Sequence, residues 1–448
     1  MDGLIQDEVT EKLTLGTLFR EAGEDFFGNH PGLNLVQVQA ARHIMQCQTA
    51  ALGGHLWRCD HCGAAFPFYN SCRDSHCPTC QGEDRRRWAA ARRKEVLPTN
   101  YFHTVMTLPH SLNPLVAANL RPLLGLLFKA ASQTLLKLAA DPKYLGGTPA
   151  ILMTLHTWGQ QLNRHYHVHC IVTGGGLSKD DKWVSTRSPN YLFPQKVISK
   201  VFRGIYWQGL SKMLAAGELR IPTCMNSKDR QEVTTTLANQ VHKNDWVVKV
   251  KAPIAESNKA LPILSSYVSR EPIEAKRLLD FKPKPQQWKV YCAPPENGVE
   301  QVIDYLAEYD KRVGITNRRI LSCEDGVVTF SYRDYRHDDR LSTRSLPLEI
   351  FLLRFLNHVL PKGFMRIRFY GIWANTKKKT CLPLCRKLLS GQKTDDLVES
   401  SPEVADNSEH EAKPTTDFLC PRCSKGHLLL LPLPDPRPAF PASKIDSS

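Results

Sequence analysis

One stretch constrains this chain more than any other. From Arg164 the sequence runs Arg-His-Tyr-His-Val-His-Cys-Ile-Val-Thr-Gly-Gly-Gly, with imidazoles at every second position ahead of a β-branched apolar run closed by glycines. A period of two is that of a strand, so His165, His167 and His169 share one face while Val168, Cys170 and Val172 take the other. Two neighbouring imidazoles on one strand can grip a single divalent ion and leave coordination positions open, as a catalytic site requires. The bland alternative is a row of solvated histidines on an exposed sheet face. Upstream, Ile151 to Gln160 is a second strand-like run, linked through a turn around Asn163. Paired antiparallel, it can deliver a third ligand, with His156 the first choice and Gln160 the second.

A chain of 448 residues has room for two or three domains and a sizeable core. Its formal charge of +15 favours a polyanionic partner, nucleic acid first, because lysine and arginine contacts to phosphates release counterions. Neither a bilayer-spanning apolar run nor a signal peptide is recognised, which leads us to expect a soluble intracellular protein with no membrane partner. In a reducing compartment the 14 cysteines read as metal ligands rather than disulfides.

The cysteines are concentrated early. Cys59-x2-Cys62 and Cys77-x2-Cys80 carry the spacing of one tetrahedral structural zinc site. Cys72 and His76, with Cys47 and His55, could complete a second, unless Cys47 is only a buried helix cysteine. Directly afterwards, Asp84 to Lys94 is helix-forming and arginine-dense. Arg85, Arg86, Arg87, Arg92 and Arg93 could lie along a phosphate backbone, the alternative being an ordinary solvated helix face. Far downstream, beyond an acidic stretch from Ser390 to Asp417 that reads as a disordered linker, Cys420-x2-Cys423 is half a metal site. Its partners could be His427 or Cys381 and Cys385, and its metal stays unassigned.

Helices are expected from Leu15 to Ala51 around a break at Gly28 to Gly32, from Leu115 to Ala140, from Val197 to Ala216 and from Leu348 to Leu360. Strands are expected at Tyr101–Leu108, Val327–Tyr332 and Arg366–Tyr370. An internal echo links Trp246, Pro253 and Tyr267 to Trp288, Pro295 and Tyr309, with too few identities to outweigh coincidence. In the second copy, Val299, Val302, Ile303 and Leu306 form a helical stripe flanked by Tyr305 and Tyr309, one turn apart.

Taken together, Asn70 to Gly82, His156-Thr157-Trp158-Gly159-Gln160, His167 to Val172, Tyr305-Leu306-Ala307-Glu308-Tyr309 and Val359 to Phe364 resemble, in content and order, the two-tyrosine HUH rolling-circle transposases of bacterial insertion sequences. The resemblance covers roughly Leu35 to Thr376. It implies that His167 and His169 hold a divalent Mg2+ or Mn2+ at the scissile phosphate. Tyr305 and Tyr309 would attack that phosphate, giving a 5′-phosphotyrosine and a free 3′-hydroxyl. The chain departs from the pattern at Glu308, where a basic residue is common, and in Lys243 to Pro285, which looks like extra sequence. The expected architecture is α+β, with an N-terminal helical and zinc-binding module (1–97) that contacts DNA. An HUH-type catalytic domain with a central antiparallel sheet (98–387) and a mostly disordered tail carrying the last C-x2-C (388–448) follow. Cleavage and rejoining of single-stranded DNA, in a bacterial cytoplasm at the nucleoid, is the expected function. Rivals are a non-catalytic zinc-dependent DNA-binding protein and a replication initiator or relaxase. No G-x4-G-K-[ST] loop is present, so no nucleotide cofactor is expected.

Overall fold

A computed structural model describes residues 13–80, 88, 91–92, 94–187, 192–225, 230–243, 246–254, 314–334, 340–390 and 419–432. Its centre is a five-stranded antiparallel sheet. The strands are β3 (Tyr101–Thr107), β4 (Ala150–Trp158), β5 (Arg164–Thr173), β8 (Val248–Ile254) and β12 (Ile367–Gly371), in the order β12-β4-β5-β3-β8. Ahead of it come α1 (Leu15–Ala22), α2 (Asp25–Asn29), α3 (Leu35–Gln46), β1 (Gly54–Cys59) and β2 (Ala65–Tyr69).

The sheet is two-faced because its central strands alternate. Ile151, Met153 and Leu155 of β4 lie opposite Val172, Cys170 and Val168 of β5, and all of them are buried in one apolar cluster. Covering that face are α5 (Leu120–Ala140), preceded by the short α4 (Asn113–Ala118), α6 (Gln195–Ala215) and α7 (Arg230–Lys243). Gly209 of α6 lets Leu126 of α5 approach so closely that a Cβ there would meet Leu126 Cδ1 at 2.3 Å. With 21 residues and a hydropathy of 1.3, α5 is long and apolar enough to cross a bilayer, contrary to the sequence expectation. It is instead a core helix, 67% buried against the sheet and its neighbours. A short β6–β7 hairpin (Gly175–Leu177, Trp183–Ser185) follows β5. The opposite sheet face is apolar at one end, where α9 (Lys378–Leu389) and the residues Ile372 and Trp373 cover Ala150, Leu152 and Ile171.

Strand β8 lies at the sheet edge, so the start of the segment taken for extra sequence belongs to the fold. The second copy of the echo, with Tyr305 and Tyr309, and the tyrosine of the first, Tyr267, lie outside the described residues. So does the acidic linker.

A second sheet, β9 (Ile320–Glu324), β10 (Val327–Asp334) and β11 (Arg340–Pro347), runs into α8 (Leu348–Leu356). Here the N-terminal helices find their core. Thr14 caps α1 and Asn34 caps α3, each in a reciprocal capping box that satisfies two otherwise orphaned amides. Phe19 and Phe26 pack edge-on, and Phe19 also meets Phe355 of α8 at a centroid distance of 6.2 Å. Cys47, Cys77 and Cys80 share this cluster with Phe330, Phe351 and Leu352, so packing continues from the cysteine-rich N-terminus into residues 315–359. A third sheet joins β1 and β2 to β13 (Leu428–Pro432), in the order β13-β1-β2.

That shared core makes a sharp prediction. Phe351→Ala removes a fully buried ring and should cost about 3–5 kcal/mol. The loss should reach the N-terminal cysteines, so thiol labelling of Cys77 and Cys80 should accelerate in parallel with unfolding. Unchanged labelling in a destabilised variant would mean that the two halves unfold independently.

Candidate active site

The face of β4–β5 turned away from the α5–α6 core carries histidine at the end where the apolar cover stops. In the antiparallel register His156 stands directly across from His167, and Thr154 across from His169. Rings of His156, His167 and His169 crowd together, with centroids 5.4 Å apart for the first two and 4.4 Å for His156 and His169. One nitrogen from each lies within 4.8 Å of the other two, a spacing one ion can bridge. The structure thus brings together His167, His169 and the third ligand candidate of first choice, His156. Gln160 sits beyond it in the turn, where its carbonyl accepts from Arg319 at 2.5 Å. His165, at the outer end of the row, faces His110 at 3.0 Å instead.

The tautomers are prepared as well. His167 Nδ1 lies 2.9 Å from the carbonyl of His165, so it donates there and leaves Nε2 as the available lone pair. Burial, then the neighbouring His165, pushes the His167 pKa down to about 3, so the ring is neutral and ligand-competent across the physiological range. On the other flank, His169 Nδ1 lies 2.8 Å from His103 Nε2. Sequence reasoning missed His103. It lies on β3, and only the β3–β5 pairing, across more than sixty positions, brings it beside the histidine row. Such outer partners orient a metal ligand and raise its basicity. Trp158 stacks on His156 at 4.7 Å, fixing the third ring.

Around the hairpin turn the charge is positive. Arg319, Arg344, Arg354 and Arg164 all hydrogen-bond to the turn or to the loop packed on it, through Gln160, Gln161 and Asn357. Desolvation and the adjacent Arg344 lower the pKa of Arg354. Buried His358 bridges the turn, with Nε2 donating to the Leu162 carbonyl (3.1 Å) and Nδ1 accepting from Thr157 Oγ1 (3.2 Å). Gly314 is buried in the same place, where a Cβ would stand 3.3 Å from Leu162 and 3.9 Å from Trp158.

The cysteines fall into two groups that differ from the expected ones. Cys47, Cys72, Cys77 and Cys80 form one, and Cys59, Cys62, Cys420 and Cys423 the other. The expected set of Cys59, Cys62, Cys77 and Cys80 does not exist as a cluster, because β1–β2 carries the first pair off into the third sheet. Cys47 and Cys72 do meet, but with Cys77 and Cys80 rather than with His55 or His76. His55 is exposed on β1. His76 turns to Asp74 through Nδ1 (3.0 Å) and receives the Leu360 amide at Nε2 (3.3 Å), coupling the cysteine loop to the wall of the histidine site. Cys381 and Cys385 stay in α9 near Trp373. Among the arginines expected on DNA, Arg92 is engaged within the protein. It pairs with Glu95 at 3.2 Å and lies over Phe369, because this short segment packs against the sheet instead of pointing outward. Arg85, Arg86, Arg87 and Arg93 lie outside the described residues.

Residues 150–286 and 281–380 match the family described as "Putative transposase", the Y2 transposases, and residues 18–108 match the "Transposase zinc-binding domain" of the IS91 type. The chain is 34% identical to "Putative transposase y4qJ" of Sinorhizobium fredii over 93% of its own length and 94% of the relative's. The chain belongs to the Y2 transposase family. It is also 25% identical to the "Transposase for insertion sequence element IS801" of Pseudomonas savastanoi pv. phaseolicola, over 77% of this chain and 72% of that one. No solved structure matches it. This Y2 transposase is thus of the IS91 and IS801 type, with mixed helix and strand content, antiparallel sheets and an N-terminal zinc-binding domain.

His358 gives the site a pH signature. Burial holds its pKa at about 4, below the ordinary 6.5, so the unfolded chain takes up a proton that the folded chain refuses. Stability therefore falls as pH drops below 6.5, by about 1–2 kcal/mol between pH 7 and 5 from this group. Urea unfolding of His358→Asn should show a shallower loss over that window than the parent protein. Identical slopes would contradict the assignment.

Proposed function

We propose that this transposase nicks and rejoins single-stranded DNA at the ends of its insertion sequence through a 5′-phosphotyrosine intermediate, in rolling-circle fashion. The observation that carries the proposal is the cluster of His156, His167 and His169, with His167 and His169 each held through Nδ1 by an outer neighbour. Three neutral nitrogen donors and no carboxylate fit an ion that keeps open positions and its full positive charge for a phosphate. Such a set suits Mn2+ better than Mg2+, which prefers oxygen. A bound ion would supply Lewis-acid stabilisation of the charge that develops on the scissile phosphate.

Tyr305 and Tyr309 are the proposed nucleophiles. The phenolic oxygen gives up its proton and bonds to phosphorus while the bond to the 3′ oxygen breaks, and the departing oxygen becomes a 3′-hydroxyl on taking up a proton. Attack by a 3′-hydroxyl on the phosphotyrosine reverses the step and rejoins the strand. Chain connectivity supports this reading. Gly314 is anchored beside Trp158, which stacks on His156, and the five residues back to Tyr309 span at most about 18 Å. The arginines about the hairpin turn supply positive charge where a DNA backbone must pass. Arg85, Arg86, Arg87 and Arg93 are proposed phosphate contacts of the N-terminal module.

Cys47, Cys72, Cys77 and Cys80 are proposed to hold a structural zinc within that module. Cys72 and Cys80 sulfurs stand 3.7 Å apart, against an edge of about 3.8 Å for a tetrahedron with Zn–S of 2.3 Å. The Asp74 amide points at the Cys72 sulfur at 3.5 Å.

A single-stranded oligonucleotide carrying the element end tests the catalytic reading. With Mn2+ the parent protein should give a covalent adduct, while His167→Ala and His169→Ala should bind the strand and leave it intact. Tyr305→Phe with Tyr309→Phe should eliminate the adduct, whereas Tyr267→Phe should keep it. A nucleotide found by mass spectrometry on Tyr267, or undiminished cleavage in EDTA, would refute the scheme.

A further inference from the structure

We infer that Cys59, Cys62, Cys420 and Cys423 form a second zinc site, which closes the two ends of the chain into one ribbon. Neither family match reaches it whole, since the zinc-binding match ends at 108 and the transposase match at 380.

The sulfur geometry is that of a tetrahedron. Cys59 to Cys423 and Cys62 to Cys420 are each 3.7 Å, so both N-terminal thiols contact a C-terminal one, and all four sulfurs lie within 4.8 Å of one another. A ZnS4 tetrahedron has edges of about 3.8 Å, whereas a disulfide needs about 2.05 Å. The backbone around the sulfurs is built as two matching knuckles. In the first, Gly63 has a φ of +69° and its amide returns to the Cys59 carbonyl at 3.1 Å. In the second, Ser424 has a φ of +53° and its amide returns to the Cys420 carbonyl at 2.8 Å. Amides of His61 and Cys62 point at the Cys59 sulfur, and that of Gly426 at the Cys423 sulfur, each at 3.4 Å. Amide donors of this kind support thiolates rather than thiols.

The knuckles also lock onto each other. Asp60 donates its amide to the His427 carbonyl (3.1 Å), and its carboxylate receives the His427 amide (2.8 Å). Gly426 fits here because it has no Cβ, which would stand 2.6 Å from the Cys59 sulfur and 2.4 Å from His61. His427, considered from sequence as a ligand, contributes its backbone to this lock. Beyond it β13 pairs with β1, from Cys59 opposite Leu428 to His55 opposite Pro432.

The hydrophobic core beneath is too small to hold the ends alone. Its buried members are Cys59, Ala64, Cys420 and Leu428, with Trp57, Phe66 and Cys423 packed against them. Modules with so little apolar burial take their folding free energy from the metal. Loading one Zn2+ onto four thiols displaces their four protons to solvent, with no redox change. The consequence is topological: the ribbon, half of which lies within the N-terminal zinc-binding domain, forms only when the C-terminal segment has been made.

The test uses the full chain, purified with zinc. Cys420→Ser with Cys423→Ser should lower zinc by one equivalent per chain. Unchanged zinc would overturn the site. To separate loss of the site from misfolding of that variant, a second measurement uses the parent cysteines with a site-specific protease sequence inserted between residues 391 and 418. After cleavage, the C-terminal fragment should co-elute with the body in zinc and separate once a chelator has removed the metal. A fragment that separates with zinc still bound, or stays attached after the metal is gone, would show that zinc does not join the ends.

Discussion

The register between β4 and β5 is the constraint on which the rest depends. Sliding β5 by a single residue would turn His167 and His169 into the α5–α6 core and expose Val168 and Cys170, parting both histidines from His156 of β4. Burial of each aliphatic side chain on the apolar face contributes about 1.5–3 kcal/mol, and that face is continuous from Ile151 to Leu155. The histidines therefore need not stabilise the hairpin. Their neighbours hold it, so three rings can be crowded together at a cost the core offsets. The His165 carbonyl, His103 and Trp158 then settle how each ring presents itself.

The cysteine-rich segment and the histidine cluster are also linked by packing. Cys77 and Cys80 belong to the same apolar cluster as α8, and the loop after α8 runs through His358 and Leu360, which touch the β4–β5 turn and His76 respectively. The cysteine-rich segment and the histidine site are thus joined through packed side chains.

Much of the histidine face was legible in the sequence. The period-two histidines marked β5, and the antiparallel pairing that singled out His156 needs only a short turn. The helices expected between Leu15 and Ala51, Leu115 and Ala140, Val197 and Ala216, and Leu348 and Leu360 came through because their apolar periodicity is local. What was hidden is non-local. The C-x2-C pairs invited pairing with the nearest neighbour, yet Cys59 and Cys62 join cysteines some 360 positions away, while Cys47, alone in sequence, joins Cys72, Cys77 and Cys80. Spacing reports which cysteines can share a knuckle but not which knuckles share a metal. The role of His103 and the strands β9 and β11 beside the expected β10 were missed for the same reason, since a lone histidine and short polar strands acquire meaning only from their partners.

The central claim, that three imidazoles hold one catalytic ion, is tested most directly by pulsed electron paramagnetic resonance of the purified transposase loaded with one equivalent of Mn2+. The account predicts nitrogen-14 couplings from directly coordinated imidazole, reduced in number by His156→Ala and again by adding His169→Ala. A manganese spectrum with no imidazole nitrogen coupling, or one indifferent to both substitutions, would contradict it.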